Sequence, residues 1–175
     1  FYVYKQYFLL DCFNRSSKMK KISISYGKIK ENALVSDNIL SLKEQKGKAF
    51  EDVKENDWFF KYIETAEYYG IIKGVSETSF NPDGQITRQE AATMVVRAAA
   101  LCDMETTISE DFARDILAQF PDYTQSSDWA KASLAFCYNS KILDASVEKI
   151  NPTENITRAE VAQMLYNMLT FGKLL

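Results

Sequence analysis

Histidine is absent from this chain. That one absence removes Ser-His-Asp triads, His-ligated zinc and the commonest general base. It leaves carboxylate chemistry open. Cysteine is scarce. Cys12, Cys102 and Cys137 lie far apart, with no Cys-x-x-Cys pair, which argues against a zinc site and against thioredoxin-type redox work. Cys137 falls on the inward face of a helical pattern, where a small buried thiol is the simplest reading. No apolar run reaches the ~18 residues of a membrane span. Phe1 to Leu10 is aromatic and apolar, but Lys5 and Gln6 interrupt it and no small-residue cleavage site follows, so it makes a poor secretion signal. The chain starts at Phe rather than Met, as expected of a piece of a longer protein. A basic stripe is missing too. With a net charge of −3 and a pI near 5.1, nucleic acid is not an expected partner.

What is present is ordinary globular material. The 175 residues are 46% hydrophobic and 26% charged, which suits one domain or one domain with an appendage. A core of that size needs no metal or disulfide staple. The informative feature is an internal repeat. Asn81-Pro82-Asp83-Gly84-Gln85-Ile86-Thr87-Arg88-Gln89-Glu90-Ala91-Ala92-Thr93-Met94 returns as Asn151-Pro152-Thr153-Glu154-Asn155-Ile156-Thr157-Arg158-Ala159-Glu160-Val161-Ala162-Gln163-Met164. Both copies keep the Asn-Pro pair and Ile-Thr-Arg-x-Glu. Upstream, Phe50-Glu51-Asp52 answers to Phe120-Pro121-Asp122, Asp57-Trp58 to Asp128-Trp129, and Gly70-Ile71-Ile72 to Lys141-Ile142-Leu143. The chain is therefore built from copies of one supersecondary unit.

This pattern resembles the S-layer homology repeat of bacterial surface proteins. The resemblance covers roughly residues 49 to 170, about seventy per cent of the chain. It implies a mainly α-helical fold of tandem helix-loop-helix repeats in a pseudo-symmetric bundle. It also implies a non-catalytic module at the bacterial cell surface that binds secondary cell-wall polysaccharide, often pyruvylated. Three segments are expected. Residues 1 to 48 form an N-terminal piece, 49 to 104 repeat A, and 105 to 175 a connecting helix with repeat B. In the N-terminal piece, Ile22, Ile24 and Tyr26 alternate with polar residues and turn signals follow, which reads as a small β-meander.

Within repeat A, Trp58, Phe59, Tyr62, Ile63, Ala66 and Tyr69 form one helical stripe, closed by Gly70 as the residue just past the helix end. A second helix is expected from about Arg88 to Leu101. In repeat B the stripes are Trp129, Ala130, Ser133, Leu134 and Cys137, then Val161, Met164, Leu165 and Met168. Ser109 is the expected cap of the connecting helix.

Thr87 with Glu90, and Thr157 with Glu160, are the two halves of a capping box, so these four residues are read as structural. Arg88 is different. It stands at the positive end of the helix dipole, unfavourable by a few tenths of a kcal/mol. Two returns offset that cost. One is a salt bridge to a carboxylate such as Asp52 or Asp122. The other is an anion held by the guanidinium together with the helix-start amides. The family resemblance identifies that anion as the pyruvate ketal of the wall polymer. Asp52, Asp57 and Trp58 are further candidates, for hydroxyl contacts and for stacking on a sugar. Each Trp also starts an apolar stripe, so partial core is the stronger reading of its ring.

Arg158 and Trp129 are the weaker counterparts in repeat B, because Gly70, Gly74 and Gly84 become Lys141, Ala145 and Glu154 there. Asn81 to Gly84 lacks the ligand spacing of a calcium loop. No feature selects a glycosidase carboxylate pair. No metal, cofactor or enzymatic activity is expected. The rival readings are a structural or assembly module that has lost sugar binding, and an accessory piece of a carbohydrate-active enzyme. Two repeats also leave a third side of the bundle open, expected to favour self-association unless residues 1 to 49, another chain or an upstream repeat covers it. The aromatic start of the chain favours the first of these covers.

Overall fold

A computed structural model describes residues 43–174. The strand pattern at residues 22 to 42 lies outside them. The described residues form five α-helices and no strand: α1 (Phe60–Tyr68), α2 (Arg88–Leu101), α3 (Glu110–Leu117), α4 (Asp128–Asn139) and α5 (Arg158–Phe171). α1 and α2 belong to repeat A, α4 and α5 to repeat B, and α3 connects the two.

Local chemistry sets each helix start. Thr87 and Thr157 both sit in extended conformation, and each hydroxyl accepts from the amide three residues on, while the Glu side chain returns to the Thr amide. Ser109 caps α3 by accepting from the Phe112 amide at 3.3 Å. Helix ends are as local. α1 closes in a Schellman arrangement, with Gly70 at φ +70° and the Ile71 amide returning to the Ala66 carbonyl at 2.9 Å. Lys141 occupies the same position after α4 and takes the same left-handed conformation, at φ +59°. Loss of glycine there has therefore not changed the turn. Glu154 likewise keeps the turn of Gly84: its amide bonds the Asn151 carbonyl at 3.2 Å, as Gly84 bonds Asn81 at 2.9 Å.

Asp52 and Asp122 explain why Phe-x-Asp is paired with Asn-Pro. Asp52 accepts from the Phe80 and Asn81 amides at 2.9 and 2.7 Å and from the Ser79 hydroxyl at 2.7 Å. Asp122 accepts from the Ile150 and Asn151 amides at 2.9 and 2.8 Å. Each carboxylate ties the loop before the motif to the start of its own repeat. The bent chain puts Asn81 and Asn151 at φ 59° and 50°, a region Asn enters more readily than most residues.

The repeats share one core. α4 lies against both α2 and α3, and α2 also meets α5. Ala91, Ala92, Val95 and Ala98 of α2 are fully buried, as are Ala130, Leu134 and Cys137 of α4. Small residues let the two helices approach closely, and the Cys137 thiol reaches the Ala92 carbonyl at 3.9 Å. Cys137 is thus the buried apolar thiol the sequence implies. Gln89 adds a polar clasp: its Oε1 accepts from the Ser127 amide at 2.9 Å, at the start of α4.

Candidate functional site: the groove at the repeat junction

The two motif loops meet backbone to backbone. The Ile156 amide bonds the Ile86 carbonyl at 3.0 Å, and the Arg88 and Gln89 amides bond the Glu154 and Pro152 carbonyls at 2.9 and 3.0 Å. With Glu90 capped by the Thr87 hydroxyl and the Ala91 amide on the Thr87 carbonyl, all four amides that open α2 are engaged. An anion here would be held by side chains and not by the helix start, contrary to the sequence expectation. The amides are occupied because the loop of repeat B fills the space before α2.

Arg88 leaves repeat A and enters repeat B. Its Nη2 lies 2.6 Å from Glu160 Oε1. The salt-bridge partner is therefore Glu160. Asp52 and Asp122, the partners suggested by the sequence, are committed to loop amides. The Arg88 side chain keeps 19% of its exposure, enough to be reached from solvent. Its Nε is buried with no hydrogen-bond partner. Around it, Tyr138 of α4, the loop from Ile142 to Asn151, and Glu160, Gln163, Met164 and Asn167 of α5 line a groove of about 740 Å³.

Besides Arg88 and Glu160, the groove's loop carries Asp144, Glu148 and Lys149. Glu160 Oε2 accepts from the Thr157 amide and hydroxyl at 2.8 and 2.6 Å. Burial opposes its ionisation, but the Thr157 bonds and Arg88 outweigh that and hold its pKa below the ordinary value. A carboxylate so fully engaged repels a second anion less than a bare one would. Tyr138 is buried, which pushes its phenol up to about 12 although Arg88 opposes the shift. It stays a neutral hydrogen-bonding group. Gln163 Nε2 bonds Asn167 Oδ1 at 2.7 Å, and Asn167 Nδ2 bonds the Ile142 carbonyl at 3.1 Å. The groove thus combines two cations, Arg88 and Lys149, and three carboxylates, Asp144, Glu148 and Glu160, with a neutral phenol and an amide pair able to meet sugar hydroxyls.

The other candidates lie elsewhere. Asp52, Asp57, Trp58, Trp129 and Arg158 do not line this groove. Asp57 Oδ2 accepts from the Lys54 amide at 2.8 Å. Trp58 and Trp129 are 54% and 56% exposed, more than a core reading allows. Trp58 precedes α1, and its ring stands edge-on to Phe59 and Tyr62. Trp129 lies beside the inward stripe of Ala130, Leu134 and Cys137 and not on it. Arg158 is exposed at the start of α5. Tyr138, Gln163 and Asn167 are the groove residues the sequence reading missed. A signal existed for the last two: with Glu160 they follow the i, i+3, i+7 spacing of one helix face.

Comparison with known proteins agrees with this architecture. The family model of the S-layer homology domain matches residues 49–92 and 119–162, about half the chain, once per repeat. The Surface-layer 125 kDa protein of Lysinibacillus sphaericus is 32% identical over 136 residues, covering 75% of this chain and 11% of that protein. Exoglucanase XynX of Acetivibrio thermocellus is 32% identical over 133 residues, covering 75% of this chain and 12% of that protein. S-layer protein EA1 of Bacillus anthracis is 30% identical over 117 residues, covering 67% of this chain and 12% of that protein. The chain spans about a tenth of the length of these relatives. Two matches in the register of the two capping boxes, joined through one core, settle the assignment: the chain belongs to the S-layer homology domain family, as a module of the bacterial cell surface carrying two of its repeats.

Proposed function

We propose that this chain anchors a larger surface protein by non-catalytic binding of an acidic, pyruvylated cell-wall polysaccharide in the junction groove. One observation carries the reading: Arg88 crosses from repeat A into a groove built by repeat B and remains partly exposed there, in a lining that also includes Tyr138, Gln163 and Asn167. The guanidinium offers five donors in a planar fork, and Glu160 engages one edge of it. A ketal carboxylate on the remaining edge would make a charge-assisted pair, with Tyr138 and Gln163 placed to meet ring hydroxyls. Relatives named as surface-layer proteins and relatives named as glycanases both contain such a region. An anchor serves either kind of parent.

The test is calorimetry with a pyruvylated fragment of the polymer. Arg88→Ala should weaken binding about ten- to a hundredfold, the loss of a charge-assisted hydrogen-bonded pair worth ~1.5–3 kcal/mol. Arg88→Lys should recover only part of it, because the point charge lacks the fork. Arg158→Ala should change binding little. Affinity that survives Arg88→Ala would sink the reading.

A second reading, of a purely structural module, has its own observation. The Arg88–Glu160 pair and the backbone bonds beside it form a clasp that would join the repeats with no ligand at all. Under that reading Arg88→Ala lowers the melting temperature and wall binding is absent in the parent chain as well.

A further inference from the structure

We propose that residues 44–48 are a docked strap, a releasable joint that fixes where the preceding chain meets the module. The run Lys43-Glu44-Gln45-Lys46-Gly47-Lys48-Ala49 has the composition of a free tether, polar and charged with no large apolar side chain. It takes no helix, but it lies along α1. The Gln45 amide donates to the Thr65 hydroxyl at 3.3 Å, and that hydroxyl donates to the Gln45 carbonyl at 3.5 Å. Thr65 is 1% exposed. The Lys48 amide donates to Glu67 Oε2 at 2.6 Å. Between them, a Cβ placed on Gly47 would overlap the Glu64 carbonyl oxygen, a backbone atom that cannot swing aside. Only glycine allows so close an approach. Lys61 also reaches Glu44 at 3.3 Å, but both side chains are largely exposed and such a pair contributes little.

Repeat B covers its first helix differently. Phe50 and Phe120 set the register, so Gly47 stands where repeat B has Leu117, and Lys43 where it has Ala113. Those two side chains are the buried face of α3, which packs on α4. Repeat A lacks that apolar pair and the helix with it. Packed helices stand about 8–10 Å apart because side chains separate them. The strap, with glycine at the contact, lies against the α1 backbone itself. Hydrogen bonds at a partly exposed surface open more readily than a packed helix, so the strap should release before the core does. Release stops at the next residues: Phe50 is buried, and the Glu51 amide bonds the Thr78 carbonyl at 2.8 Å. Freeing five residues adds roughly 17 Å of reach. Docked, the strap holds the chain ahead of it to the side of α1; released, it lets that chain swing. That this sets how a parent protein stands on its anchor rests on the function proposed above; the strap itself does not.

The experiment is ¹⁵N relaxation and amide hydrogen exchange on the full chain. The expected heteronuclear NOEs at Gln45, Lys46 and Lys48 match those of α1. Exchange at Gln45 and Lys48 should be at least tenfold slower than in an unstructured peptide of the same sequence, and faster than in α1. Gly47→Val should lower the NOEs, remove the protection and speed trypsin cleavage after Lys48 at least tenfold, while the core keeps its amide dispersion. Thr65→Val should release Gln45 first. Low NOEs in the native chain, as in a free tail, overturn the strap. High NOEs that persist in Gly47→Val overturn the glycine contact as its basis. Protection equal to that of α1 overturns independent release. The native chain decides the matter even where a variant folds poorly, and no glycan enters the measurement, so the anchoring reading stands or falls separately.

Discussion

Lys141 and Gly70 are the same turn made with and without a side chain. Nothing lies within 4 Å of a Cβ built on Gly70, so a substitution there meets only backbone strain. Gly70→Ala should therefore cost about 1 kcal/mol, the left-handed penalty for an L-residue. Lys141→Gly should return about 0.5–1 kcal/mol, the strain relieved less the wider freedom glycine has when unfolded. Paired thermal melts check both, and a loss of stability in Lys141→Gly would contradict the account. Asp52 and Glu160, which tie separate parts of the fold together, contribute to the response to acid. Burial opposes ionisation of Asp52, but bonds from Ser79, Phe80 and Asn81 outweigh it and its pKa falls; Glu160 is lowered in the same way. For a depressed carboxylate, the stabilisation is present above the unfolded value near 4 and is lost as pH falls through the lower folded value. Melting temperature should drop between about pH 4 and pH 2. Asp52→Asn should flatten that slope; an unchanged slope would mean the loop tether is not what titrates. The pairing of Asp52 with Asn81 was not legible in the sequence, which showed both residues repeated but not that one carboxylate holds the other's amide.

At the scale of the helix, the sequence was close to sufficient. Thr-x-x-Glu is a rule of covalent geometry and local hydrogen bonding, so the starts of α2 and α5 and both capping boxes follow from four residues each. Removing either cap, as Thr87→Val or Thr157→Val, should cost ~0.5–2 kcal/mol. Thr87 should be the more costly, because its capping bonds are partly buried while those of Thr157 are exposed. Circular-dichroism melts of the two variants decide this. A Thr87→Val protein that melts normally yet no longer binds polysaccharide would make the hydroxyl a ligand contact. The tryptophans show where stripe reading fails. A period of 3.6 sorts residues inside a helix, but Trp58 lies before α1 begins, where the period no longer governs which way a side chain faces.

The junction was the least legible part of the molecule. Arg88 and Glu160 are 72 residues apart, and nothing in either repeat alone says which carboxylate the guanidinium will meet. The sequence did single out Arg88 as a residue whose position is unfavourable for its own helix, and that conflict pointed to the side chain that crosses into repeat B. It could not supply Tyr138 or Asn167, whose relevance depends on how α4 and α5 frame the groove. The shared core makes a further prediction. Ala91, Ala92, Val95 and Ala98 of α2 are buried with α4 packed against that helix, so residues 43 to 104 alone would expose them. The intact chain should unfold in a single transition, and the isolated first repeat should show collapsed amide dispersion by NMR. A well-dispersed spectrum for repeat A alone would mean the repeats fold independently.

The crossing of Arg88 has a consequence for how such proteins are assembled from parts. A gene can gain or lose a repeat by recombination, and a helix pair is the obvious piece to exchange. Here the cation of one groove is encoded in one repeat, and the walls of that groove in the next. Cutting between them separates a charge from its cavity, although each fragment keeps its full motif. The transferable piece runs across the boundary between two repeats, from the first motif loop through α5. A chimera joined inside repeat A, ahead of that loop, should keep its groove, and one joined between the repeats should lose it.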